Sequence, residues 1–192
     1  KSKLGDLYEL GNHKVLCGDS TKREDVEKLM GGRKADLFIT DPPYGVSYGD
    51  KNKFLNAISR GNRIQENLQN DTNSIDEMSE LWVKVFTEAK EVSKGGASYY
   101  IFSPQGGELM MMMMMMIAKS GWLLKHSIIW VKQQFVLGRS DYHYRHEPIL
   151  YGWKDGGHQF YGAKGENSVW EFNKPHQSKL HPTMKPVEIL EK

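Results

Sequence analysis

The stretch "LFITDPPYGVSYGD", residues 37–50, decides how the rest of the chain is read. Strand-like hydrophobicity runs straight into Asp41-Pro42-Pro43-Tyr44, then into a polar segment punctuated by glycine. Asp-Pro-Pro is a turn signal, which explains why a strand stops here. It explains neither Tyr44 nor the need for two consecutive prolines. Prolines have no N–H to donate and hold the neighbouring carbonyls in one orientation. A carboxylate beside a fixed carbonyl is a paired acceptor suited to an exocyclic amino group. An aromatic ring close by can stack on the base that carries the amine. Together these features describe a pocket for an extruded nucleobase.

Outward from this stretch, strands and helices alternate. "KVLCG" (14–18) reads as a short buried strand ending at Gly18-Asp19, and "STKREDVEKLMGG" as a helix with Thr21 and Glu24 at capping-box spacing. "ADLFIT" is the strand that leads to Asp41. Residues 45–73 show no periodicity and read as a long, mobile loop. Over 74–94 the apolar positions Met78, Leu81, Trp82, Val85, Phe86, Ala89 and Val92 fall on one helix face, with Ser74 and Glu77 as a cap and Gly95-Gly96 as a stop. "ASYYIFS" is the next strand. A helix from about Gly107 to Lys119 carries seven consecutive methionines, Met110 to Met116, read as a pliable core-facing helix. "WLLKHSIIWVK", "EPILYGW" and a short "SVWEF" are strands, and Pro186 is placed to begin a helix. This alternation predicts an open α/β sheet with mostly parallel strands. Such sheets bind ligands at the carboxyl ends of their strands, where Asp19, Asp41 and Ser103 are expected.

Composition excludes several classes. The 192 residues are 39% hydrophobic and 26% charged, with a formal charge of +2, so a polyanion partner requires clustered rather than numerous cations. One cysteine, Cys17, rules out a disulfide framework and favours a reducing, cytoplasmic setting. No secretory signal opens the chain, and no apolar run approaches the roughly 18 residues of a membrane helix.

"DPPY" resembles the catalytic motif of the S-adenosylmethionine-dependent amino-methyltransferases that modify adenine N6 or cytosine N4 in DNA. "HPTMKPVEILEK", 181–192, resembles that family's His-Pro-Thr-x-Lys-Pro motif, and the order of the two motifs is that of its permuted members. "GDS" at 18–20 fits the opening pattern, and 126–154 is similar to the strand pair after the catalytic region. The resemblance implies a Rossmann-like fold in a single catalytic domain over 1–192, a duplex DNA substrate and S-adenosylmethionine as methyl donor. Asp41 and the Pro42 carbonyl would accept hydrogen bonds from the target amine, with Pro43 holding the turn and Tyr44 stacking on the base. Asp19 and Ser20, together with Asp41, Thr183 and Lys185, would contact the cofactor, Lys185 meeting its carboxylate. Aspartate at the head of the motif favours adenine over cytosine. The family continues beyond this motif into a Gly-containing cofactor turn absent here, so the chain reads as C-terminally truncated. A bacterial or phage source and a homodimer also follow from the resemblance alone.

DNA contacts are expected from Arg60, Arg63, Lys132, Arg139 and Arg145, interleaved with Tyr142 and Tyr144; each alone is more often a solvated charge. Residues 154–180 occupy the place of a small target-recognition region. His143 and His146 near Glu147 are weak evidence for a metal, and none is assigned. Cys17 reads as a small core residue, which disfavours carbon-5 cytosine chemistry with its cysteine nucleophile. Methylation of cytosine N4, RNA or protein glutamine stays open, as does a non-catalytic DNA-binding subunit.

Overall fold

The computed structural model describes residues 1–45, 74–135, 141–174 and 184–192. A short antiparallel hairpin, β1 (Leu7–Leu10) and β2 (His13–Leu16), stands apart from the main sheet. Helix α1 (Arg23–Met30) follows, then β3 (Ala35–Thr40), α2 (Ile75–Glu91), β4 (Ser93–Phe102), α3 (Gly107–Lys119), β5 (Leu123–Val131), β6 (His146–Trp153), β7 (Val169–Glu171) and α4 (Val187–Glu191). The main sheet has the order β3-β4-β6-β5-β7. Strands β3 and β4 pair in parallel, as do β5 and β7, while β6 lies antiparallel between β4 and β5.

This corrects the expected sheet in two ways. The strand around Val15 and Leu16 is half-exposed and belongs to the hairpin, so Asp19 does not sit at an end of the main sheet. Strand β6 runs against its neighbours. It thereby brings its first residues to the same edge as the last residues of β3, β4 and β5. The site is built on that edge.

Side-chain alternation sorts the sheet into two faces. Tyr99, Ile101 and Leu150 point to one face, where Met78, Trp82 and Phe86 of α2 and Met113 and Ile117 of α3 cover them. Phe102, Ile128, Trp130, Ile149 and Tyr151 point to the other, joined there by Ile189 of α4. The methionine helix does face the core, though Met111 and Met115 remain exposed. A helix turns every 3.6 residues, so a continuous run cannot be buried whole.

Ser74 and Glu77 cap α2 reciprocally, with Glu77 N–H donating to Ser74 Oγ and Ser74 N–H to the Glu77 carboxylate. Helix α1 differs from expectation. Its N-cap is Lys22, with no side-chain cap, and Thr21 donates instead to Asp19. Gly95-Gly96 also departs from the reading as a helix stop, since both lie inside β4. There they make a bulge: β3 and β4 shift register between Ala35 and Leu37. Gly96 takes φ +78°, and a Cβ at that position would lie 2.0 Å from the carbonyl oxygen of Gly157. Gly96→Ala is therefore expected to lower unfolding stability by about 1–3 kcal/mol, as overpacking does, read from the midpoint of denaturant unfolding; a midpoint unchanged from the wild type would refute the close approach.

Candidate active site

Asp41 follows the last residue of β3, where the backbone leaves the sheet. Its carboxylate is engaged on both oxygens. The Tyr44 hydroxyl donates to Oδ1 at 2.8 Å, and the Lys185 ammonium lies 3.0 Å from Oδ2. Pro42 is buried and Tyr44 half-buried against the α2–α3 side of the core. The turn is held from behind by Trp82, whose indole N–H donates to the Pro43 carbonyl at 3.0 Å. Trp82 is fully buried on α2, and a buried indole N–H needs a partner. Sequence periodicity marked Trp82 only as core; its polar atom was the signal that it does more.

Lys185 arrives from the segment preceding α4, next to its N-cap Pro186. Its Nζ also donates to Glu147 Oε2 at 3.1 Å and lies 4.8 Å from the centre of the Phe102 ring. Glu147, the second residue of β6, accepts from Lys132 through its other oxygen, Oε1. Burial pushes the Glu147 carboxyl up, but the two ammonium groups, Lys185 foremost, outweigh it and hold the carboxyl below its ordinary range. Burial draws the Lys132 ammonium below its own ordinary range despite Glu147.

The expected site residues divide accordingly. Asp41, Pro42, Pro43, Tyr44 and Lys185 come together. Asp19 and Ser20 do not join them by any hydrogen bond or ion pair. The Asp19 carboxylate accepts from the Thr21 hydroxyl at 2.7 Å and N–H at 2.9 Å, which hold it below its ordinary range. Lys132, expected as a DNA contact, is corrected: it is 3% exposed and ion-paired, whereas a phosphate contact needs a cation that faces solvent. Arg145 is exposed and donates through Nε to the Lys132 carbonyl at 3.0 Å. Arg60, Arg63, Arg139 and Thr183 lie outside the described residues, as does the loop from 46 to 73.

His143 stacks on Phe135 and His146 meets Tyr144 edge-on. Among the described residues, no group of three or more His, Cys, Asp or Glu could hold a metal ion. Cys17 is half-buried. No helix among the described residues is long and apolar enough to cross a membrane.

The family model described as DNA methylase, of the N6/N4 methyltransferases, matches residues 35–192. Among solved structures, M1.HpyAVI in complex with SAM superposes with a TM-score of 0.56 at 19% identity, over 91% of this chain and 71% of that one. A second structure of M1.HpyAVI gives 0.52 at 15% identity, over 84% and 67%. TTHA0409 of Thermus thermophilus, provisionally named a DNA modification methylase, gives 0.46 at 14% identity, over 78% and 65%. None of the curated proteins compared with the chain matches it in sequence. The two M1.HpyAVI structures share the α/β fold, and the family match runs from β3 through Asp41-Pro42-Pro43-Tyr44 to Lys185 and α4: the chain belongs to the N6/N4 DNA methylase family.

Proposed function

We propose that the chain transfers a methyl group from S-adenosylmethionine to the exocyclic N6 of adenine in double-stranded DNA. The observation that carries this reading is the acceptor at the end of β3, a carboxylate tied by Tyr44 and Lys185 and followed by a turn pinned through Trp82. Asp41 and the Pro42 carbonyl accept the two N–H bonds of the amine and aim its lone pair at the methyl donor. Held in line, the reactants gain chiefly from orientation. Tyr44 stacks on the extruded base. Aspartate at the head of the motif, where serine is commoner in N4-cytosine relatives, supports adenine.

The donor class is supported by the SAM complex of M1.HpyAVI. The charges at the sheet edge fit the methionine end of such a molecule. An ammonium has three donors; Lys185 directs two at Asp41 and Glu147, which leaves one for a carboxylate. Asp41 in turn suits an α-ammonium. Thr183, Asp19 and Ser20 complete the proposed cofactor set. When bound, S-adenosylmethionine supplies an electrophilic methyl carbon: the bond to nitrogen forms as the carbon–sulfur bond breaks, the electron pair leaves with sulfur, and the surplus amine proton passes to water.

In this reading residues 1–192 act as one catalytic domain, with 154–180 contributing target recognition. Arg60, Arg63, Arg139 and Arg145 are the proposed phosphate contacts, and Phe135 and Tyr142 add exposed rings beside the β5–β6 connection.

The test is transfer of labelled methyl from S-adenosylmethionine to mixed-sequence duplex DNA, followed by digestion to nucleosides. It is run on the 192-residue chain and on the longest form its gene encodes. Label in N6-methyldeoxyadenosine is expected. Label in N4-methyldeoxycytidine would move the acceptor, and no transfer by either form would overturn the catalytic reading. Asp41→Ala is expected to cut transfer on the order of 100-fold or more while DNA affinity changes little; joint loss of both would make Asp41 structural. DNA affinity should also fall steeply between low and high salt, because each phosphate contact releases counterions. A flat salt response would count against duplex DNA as the substrate.

A further inference from the structure

We infer that Glu147 is a positioning residue for methyl transfer, orienting Asp41 through Lys185 with Lys132 as its buried counter-charge. The inference rests on the reading of Asp41 as the acceptor of the target amine. The four groups come from the end of β3, the residue after β5, the start of β6 and the segment before α4. They meet along one sheet edge in the order Lys132, Glu147, Lys185, Asp41, cation and anion alternating. The Tyr44 hydroxyl closes the row on the far oxygen of Asp41.

Glu147 gives one carboxylate oxygen to each lysine. Its side chain is 19% exposed and that of Lys132 only 2%. Charges this far from water are costly unless paired, and Lys132 alone would neutralise Glu147. The contact with Lys185 goes beyond what a single ion pair requires. That contact links the buried pair to the most exposed member of the row, since the Asp41 side chain is 29% exposed. Lys185 is thus anchored on its inner side by Glu147 and beneath by the Phe102 ring. It presents its ammonium to Asp41 from a fixed direction. Without Glu147, ammonium and carboxylate are free to swing as a pair, and the acceptor loses its aim.

A double-mutant cycle at positions 147 and 185 separates this role from a structural one. In the wild-type background, Glu147→Gln is expected to lower kcat about 10- to 100-fold with KM for DNA unchanged. In the Lys185→Met background the same substitution should lower kcat no further. Losses that simply multiply would make Glu147 a structural residue and overturn the inference. Glu147→Asp, one methylene shorter, should retain part of the wild-type kcat and serves if the glutamine variant does not fold. A second readout needs no turnover: the carboxyl carbon-13 resonance of Asp41, assigned by its loss in Asp41→Asn. It should shift on Glu147→Gln or Glu147→Asp, and stay put when Lys185 is already Met. An Asp41 resonance indifferent to position 147 overturns the inference whatever the kinetics. A wild-type protein that transfers no methyl refutes the proposed function instead, and the resonance still reports whether the residues are coupled.

Discussion

One ammonium, that of Lys185, holds the candidate site together. It stands 3.0 Å from Asp41 and 3.1 Å from Glu147, and so joins the loop after β3 to the start of β6. Everything around it serves that placement. The Phe102 ring offers its face to the cation, an attraction that grows as water is excluded. Lys132 balances the second charge on the inner side. The row as a whole contains two cations and two anions, so it is neutral. Neutrality is what lets charged groups cross the edge of an otherwise apolar sheet.

The reversed strand makes this possible. Were β6 parallel to its neighbours, its first residues would lie at the opposite edge, and Glu147 would be a strand's length from Lys185. Running antiparallel between β4 and β5, it delivers Glu147 beside the residues that follow those strands. The same arrangement explains the two-faced core. Strands β4, β5 and β6 contribute residues both to the α2–α3 side and to the Trp130–Ile189 side. The backbone at the edge is left to be directed by Trp82 and the prolines.

What was legible in the sequence follows from the range over which sequence signals act. Asp41, Pro42, Pro43 and Tyr44 are contiguous, and their chemistry was readable from order alone. Helix α2 declared itself through its apolar face and its Ser74–Glu77 cap, and the methionine helix through propensity. In the sequence Glu147 stands beside His143 and His146, and nothing local reports which strand it lies against. Lys132 resembles a surface cation for the same reason: its partner, the Glu147 carboxylate, lies fifteen positions away along the chain. Gly95-Gly96 after a helical run resembles a stop, and only the close carbonyl of Gly157 reveals it as a bulge. The motif marks Lys185, but only the fold brings it to its two carboxylate partners.

The charged row draws its members from positions 41, 132, 147 and 185, with Trp82 bracing the turn from yet another element. Contacts so distant along the chain cannot form until the intervening segments have closed, and closing long loops is what slows folding. Helices α2 and α3 are each held by hydrogen bonds four residues apart and can form while the edge of the sheet is still open. The site is thus among the last parts of the molecule to exist. A nascent or partly unfolded chain carries the same Asp-Pro-Pro-Tyr sequence but not the braced carboxylate, which takes its place only with the finished sheet.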